Sequence, residues 1–513
     1  MSGAWSMSKF LPLIILRLGI LISLIAITTY LLPEYQSVIL ISALVLFSIS
    51  VWIFNYEHPK STARIFAEDA CSIDMPQQGG EGKSVIVVGG GISGLSAAKY
   101  LIRAGCNVTL LEQREIVGGN NDPYLENGEH HSTTVIITLP AQQPHYLHLC
   151  REYGIEQIPH EFEDLKGSIV FEDRELNTKM GSGIGGFLKF IYREATLKEL
   201  FDGFIIFWKL YRQYKLRPES SKSVSDVLGK RLVNSTVFTH FYMPWVGINT
   251  WCRFEDVNRQ PAHVFASFIF EYALIIDIRD KTAKHKEDCW SVLDGRLIHA
   301  MRDDLLSNDR FSQHLNTKVE NIEREVDGSL TITSTEGENW SCDSVIVATQ
   351  PNHARPLLDT VAPKLLITEL EKWNQMDCYV LFHTDFSDIG NRPWLHQTHK
   401  NEATGKYYIT NTIKPRMGDL DAKYLITYVY NTENYLDFKA NQMDESTIVK
   451  LYEPKLPIFN LENSVDRNTV WREIDSQCSD VFWTQACRSG LQYHNNGVVS
   501  AKRVVRRALG HNW

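Results

Sequence analysis

Apolar residues fall along this chain in three patterns, and each predicts a different kind of element. Residues 10–32 and 37–54 are almost uninterrupted apolar runs, separated only by Pro33-Glu34-Tyr35-Gln36. Each is close to the roughly 20 residues that cross the hydrocarbon core of a bilayer as a helix. Residues 85–88 and 108–111 are short runs of β-branched residues and Leu, as in strands buried on both faces of a parallel sheet. Between them, residues 93–104 place apolar side chains three and four apart, which predicts a helix. Residues 58–82 keep no such period, and Gln77-Gln78-Gly79-Gly80-Glu81-Gly82 reads as a polar, glycine-rich linker.

The two long runs predict a transmembrane hairpin over residues 1–57, because so short a break returns the chain to its starting side. Lys9 precedes the pair and Lys60 and Arg64 follow it, whereas the connecting turn holds only Glu34. An excess of cations at both outer ends puts those ends in the cytosol, with the remaining body on the same face. Arg17 lies near the cytosolic end of the first run, within reach of the interface by snorkelling. A cleaved signal peptide fits less well, since no small-x-small site follows the first run and a second run comes at once.

The turn between first strand and helix carries the chemistry. Gly89, Gly91 and Gly94 give the spacing G-x-G-x-x-G, which lets backbone approach a pyrophosphate that side chains would hold off. Ser93 opens the helix, whose unpaired N–H groups and positive dipole end face the diphosphate. Glu112 ends the second strand 18 residues after Gly94, with Gln113 beside it. A carboxylate there accepts hydrogen bonds from both hydroxyls of an adenosine ribose and disfavours a 2′-phosphate. The spacing recurs at Gly181, Gly183 and Gly186, but the preceding Asn177-Thr178-Lys179-Met180 is no buried strand, so no nucleotide is expected there. His130-His131 lacks further ligands at useful spacing, and neither a metal site nor a Ser-His-Asp signature is expected.

Composition narrows the class. A chain of 513 residues with 44% apolar content has ample material for a large core and exceeds one ordinary domain. Net charge of −9 argues against nucleic acid as an electrostatic partner. Nine cysteines without a C-x-x-C pair favour reduced thiols and a cytosolic setting. Three Asn-x-Ser/Thr sequons occur, and the first, at Asn107, falls on a core strand, so all three read as chance matches.

Glu112 followed, after five intervening residues, by Gly118-Gly119 resembles the extended fingerprint of the amine-oxidase-like and glutathione-reductase-like FAD proteins, in which that glycine pair lies beside the diphosphate and ribityl chain. The likeness continues in residues 290–306, in Lys318-Val319-Glu320-Asn321-Ile322, whose backbone contacts adenine in that family, and in Val345-Ile346-Val347-Ala348-Thr349. Gln350 stands where the family has glycine. Near the C-terminus a strand at 481–483, Gly490, Gly497 and a helix expected over 498–509 complete the series, with the helix start at Val498 facing the isoalloxazine pyrimidine. The turn 490–500 resembles more narrowly that of bacterial NAD/FAD-binding oxidoreductases associated with cyclopropane fatty-acid synthases, which end in G-x-G-x-H-E-D-G-x-x-S-G. Asn495-Asn496 replaces their Glu-Asp, and Asn120-Asn121 replaces the His-Thr common after Gly119.

The resemblance implies an α/β fold: a Rossmann-type FAD-binding domain of segments 83–180, 290–352 and 476–513, interleaved with an α+β substrate domain of segments 181–289 and 353–475. It implies FAD as cofactor and hydride transfer to flavin N5 from a small apolar, fatty-acyl or lipid-like substrate, with an unknown electron acceptor. Flavin amine oxidation is the rival enzymatic reading, and a non-catalytic, flavin-stabilised membrane scaffold the rival of another class. His494, in the turn beside the expected isoalloxazine, is the candidate for proton transfer or positioning, with a buried structural histidine as the alternative. Tyr493 and Trp483 are read either as walls of the flavin pocket or as core. Residues 187–217 mix Phe201, Phe204, Phe207, Trp208 and Tyr211 with Lys209, Arg212, Lys215 and Arg217, which fits a substrate-domain helix with an apolar core face or one docked on an anionic membrane.

Overall fold

In a computed structural model of the protein the described residues are 75–121, 143–155, 196–216, 222–243, 254–267, 296–385, 424–441, 444–464, 467–490 and 493–511, with short strands between 124 and 179, at 291–292 and between 394 and 413. The two long apolar runs and the second glycine motif lie outside them. No helix among the described residues is long and apolar enough to cross a membrane.

The expected strand, helix and strand are β1 (Ser84–Val88), α1 (Ile92–Arg103) and β2 (Asn107–Leu111). Next along the chain come α2 (Pro144–Glu152), α3 (Arg296–Leu306), β3 (Phe311–His314), β4 (Ser344–Val347), β5 (Val481–Trp483) and α4 (His494–Ala508). The five strands form one parallel sheet in the order β3-β2-β1-β4-β5. The run Val85 to Val88 and the run Val345 to Val347 are buried throughout: α1 packs against β1, β2 and β4, and the strand Asn339–Cys342 also meets β1.

This first core also takes in Leu357, Leu358, Leu366 and Trp471, from the helices Pro351–Leu358, Lys364–Glu371 and Arg467–Gln477, and Trp373, just past the second of them. It therefore runs past the boundaries expected at 352 and 476. Helical periodicity marks that a face is buried but not which core buries it. The strand at Val319–Arg324 opens a three-stranded antiparallel sheet with Leu330–Ser334 and Asn339–Cys342, and its register shifts between Val319 and Asn321.

A second core gathers Ile206, Leu210, Phe238 and Phe265 against Met376, Cys378, Val380 and Phe382. Those last four alternate along the strand Asn374–His383, which pairs with Leu425–Tyr430, Ile448–Tyr452 and Lys455–Ile458. The intervening Leu381 points to the opposite face, where it meets Val429 and Tyr435, as a period of two requires.

The end of the expected linker is fixed to the body. Gly80 donates its N–H to Ala104 O at 3.0 Å, and a Cβ there would lie 2.4 Å from Cys106 Sγ. A glycine that composition reads as flexibility serves here as close packing.

Candidate FAD site

The glycine turn forms a cradle at the carboxyl end of β1. Gly89 sits at φ +105° and donates its N–H to Leu111 O, which ties the turn to the end of β2. At Gly94 an added Cβ would lie 1.9 Å from Gly89 O and 3.2 Å from Ala348 Cβ, so this glycine lets α1 pack on the sheet. At Gly91 the nearest protein atom to such a Cβ is Gly119 Cα at 4.0 Å. A side chain at Gly91 would thus enter the cradle itself, as expected where backbone must approach a diphosphate. Ser93 is buried in the first turn of α1.

Glu112 is buried at the end of β2, and its carboxylate is held by backbone: Gly90 N–H donates to Oε2 at 2.6 Å and Arg114 N–H to Oε1 at 2.9 Å. Each oxygen keeps a further acceptor site for a ribose hydroxyl. Gln113 follows on the exposed side. Thr317 N–H donates to Glu112 O at 2.8 Å, two residues before Val319 opens its strand. Gly118 N–H donates to Gly90 O at 2.9 Å and pairs with Gly91 as a parallel bridge, so Gly118-Gly119 does lie along the cradle. Ala348 N–H donates to Val88 O at 2.7 Å, setting the end of β4 next to the turn.

Two residues of this site went unread in the sequence. Gly90 has no room for a side chain, since a Cβ would meet Val117 Cγ1 at 2.8 Å. Arg114 donates from Nη1 to Gly119 O at 2.9 Å and braces the glycine pair. Their only signals were a third consecutive glycine and a cation between Glu112 and Gly118.

At the C-terminal turn the structure corrects the sequence reading. The helix begins at His494, not Val498, and Val498 is fully buried within it. Asn-Asn-Gly looked like a turn, but Gly497 is helical because α4 crosses α1 closely there: a Cβ would meet Ile92 Cγ2 at 2.8 Å and Ser93 Oγ at 2.9 Å. Gly490 precedes the helix at φ +141°, and a Cβ there would meet Asn496 Nδ2 at 2.7 Å.

His494 is buried with its ring 5.3 Å from that of Tyr146 on α2, and burial lowers its pKa to about 4. Its place between α2 and α4, neutral across the physiological range, fits packing. Trp483 is core: its ring lies tilted against that of Trp471, with centroids 5.3 Å apart, and it donates Nε1–H to Thr349 O. Tyr493 is partly buried and packs on the second core. Asn495, noted only as a departure, has a defined task. Its Oδ1 accepts from His145 N–H at 2.9 Å and Tyr146 N–H at 3.2 Å, capping α2, which has no side-chain cap of its own.

These parts define a protein built to hold a dinucleotide between the glycine turn, the Glu112 strand end and the start of α4. Residues 92–450 match the family of flavin containing amine oxidoreductases. The chain belongs to that family, and its cofactor is FAD. It is 40% identical over 72 residues to amine oxidase [flavin-containing] B of Cavia porcellus, a match covering 14% of each chain. The stretch matched is thus about a seventh of that relative's length. In fold it is similar to a CLA-producing fatty acid isomerase from P. acnes, with TM-score 0.58 and 13% identity, over 83% of this chain and 98% of the other. It is similar also to cyclohexylamine oxidase from Brevibacterium oxydans IH-35A, with TM-score 0.55 and 13% identity, over 83% and 99%.

Proposed function

We propose that the protein is a membrane-anchored FAD-dependent oxidoreductase acting on an apolar, fatty-acyl or lipid-like substrate. The observation that carries the redox assignment is the cradle at Gly91, open on the cofactor side, with Glu112 held by two backbone N–H groups at its edge. When bound, FAD supplies a hydride acceptor at N5. The chain's own residues orient and shield: Glu112 fixes the ribose, Gly118-Gly119 and Arg114 shape the path along the diphosphate, and α4 brings a helix N-terminus with its positive dipole end.

Support for an apolar substrate comes from the second core, where the rings of Tyr124, Phe382 and Tyr424 lie 4.6 to 5.7 Å apart. Tyr493, the N-cap residue just before α4, packs on that same core. The narrower sequence resemblance to oxidoreductases associated with cyclopropane fatty-acid synthases points the same way. Support for the anchor is the pair of apolar runs at 10–32 and 37–54. A second reading, amine oxidation, is favoured by the family match, and aromatic faces also receive ammonium groups.

The test is to purify the detergent-solubilised chain, identify the chromophore released on denaturation, and follow anaerobic bleaching near about 450 nm with lipids and with amines. Bleaching by lipids supports the proposal. Bleaching and peroxide release with amines alone would replace it by the amine reading. A bound flavin that no donor reduces would leave the scaffold reading, and folded protein that takes up no FAD would overturn the cofactor assignment.

A further inference from the structure

The helix Leu197–Leu216 packs on the second core through Ile206 and Leu210, both fully buried. On its solvent side the large exposed side chains are aromatic: Phe201 is 59% exposed and Trp208 40%. Lys198, Phe201, Trp208 and Arg212 fall on one side of about 20 Å of helix, away from Ile206 and Leu210, with half-buried Ile205 at the edge of this stripe against the second core. Lys198 and Arg212, at the two ends of the stripe, are exposed. The core-packing requirement is met on the other face and leaves this stripe unexplained.

Charge identifies what the stripe suits. Residues 196–243 hold eight Lys and Arg against four Asp and Glu, in a chain whose net charge is −9. One of those acids, Asp202, is buried and paired with Arg231 at 2.6 Å. Lys222 and Lys230, next to the short helices that follow, are exposed. A cationic surface with a protruding Phe and Trp matches the boundary of an anionic bilayer. There the rings bury apolar area among headgroups while the amphipathic indole keeps its N–H wet, and long basic side chains reach lipid phosphates.

We propose that this face of the helix rests on an anionic lipid surface, with Phe201 and Trp208 entering the headgroup boundary and Lys198 and Arg212 meeting phosphates. The contact would hold the second core, and with it the substrate side of the fold, against the membrane that supplies an apolar substrate. It stands on the exposed stripe and its charge, independently of the cofactor.

The experiment uses the full chain carrying a photoreactive benzophenone amino acid in place of Phe201 or Trp208, reconstituted with vesicles of phosphatidylcholine alone or mixed equally with phosphatidylglycerol. A control carries the same group at Val326, which is fully exposed in the turn after the strand Val319–Arg324. Lipid adducts on the 201 and 208 peptides, several-fold above the Val326 background and higher with phosphatidylglycerol, are expected. Lys198→Gln and Arg212→Gln should each lower the yield roughly fivefold, the worth of one charge near such a surface. Adducts no more abundant than at Val326, indifference to phosphatidylglycerol, or cross-links to a second protein chain instead would overturn the proposal. The flavin spectrum, read on the same samples, reports separately on the redox assignment.

Discussion

Replacing Gly497 by Ala sets two effects of known size against each other. In a helix interior Ala is favoured over Gly by about 1 kcal/mol, so propensity alone predicts a more stable protein. The added Cβ, however, would lie 2.8 Å from Ile92 Cγ2 and 2.9 Å from Ser93 Oγ, where carbon atoms settle at about 3.5–4.0 Å. Ile92 is β-branched with little χ1 freedom in a helix, and Ser93 is buried, so neither yields easily. The helices α1 and α4 must part by nearly 1 Å, at an overpacking cost of about 1–3 kcal/mol. Packing should win, leaving the variant destabilised by up to about 2 kcal/mol. For a cooperative unit of this size, 1 kcal/mol moves Tm by about 1 °C, so a drop of up to about 2 °C is expected. The sharper readout is FAD affinity, because the crossing lies at the amino ends of both helices: roughly tenfold weaker binding, or about 1.4 kcal/mol, should appear on titrating apoprotein by flavin fluorescence. A variant that melts higher and binds FAD as tightly would refute the close α1–α4 approach and return Gly497 to a turn.

Gly94→Ala puts a Cβ 1.9 Å from a backbone oxygen, which no rotamer change relieves, so purified protein should lack flavin absorbance; near-stoichiometric FAD would contradict the turn geometry. Asn495→Ala strips the cap from two buried N–H groups and should cost about 2–3 kcal/mol by urea denaturation, whereas Asn495→Asp, which keeps the acceptor, should recover most of it. For His494 the folded pKa of about 4 lies below the ordinary 6.5, so below pH 6.5 the unfolded chain binds a proton that the folded chain does not. Its contribution is therefore present above pH 6.5 and lost as pH falls towards 4, by at most about 3 kcal/mol. His494→Gln should flatten that part of the acid stability profile, although His383, also lowered to about 4, keeps its own share. Turnover of that variant at pH 8 should stay within about threefold; a loss beyond roughly a hundredfold with FAD retained would make His494 catalytic after all.

By itself the sequence determined the nucleotide-binding unit. Residues 84–119 are local: the apolar runs, the glycine spacing and Glu112 lie within one strand-helix-strand passage, and steric rules for glycine and strand burial act at that range. The family signature followed for the same reason, because Gly118-Gly119 and Ala348 mark short backbone turns. Tertiary structure decided whatever depends on a partner distant in the chain. Gly497 reads as a turn until α1 is seen against it, and Asn495 reads as a lost acid until α2 is seen to donate two N–H groups to its side chain. For His494 the sequence leaves open a proton-transfer role or a buried structural one, and its burial against Tyr146 is visible only in the fold. In the sequence Phe201 and Trp208 fit either a core face or a membrane-docked one, since periodicity counts apolar residues without saying which face the fold has already filled. Ile206 and Leu210 fill the inner face, with Phe207 and Tyr211 packed beside them, so Phe201 and Trp208 are left to solvent or to a surface. Proximity between residues hundreds of positions apart is set by packing, and packing is the one term that a local pattern does not contain.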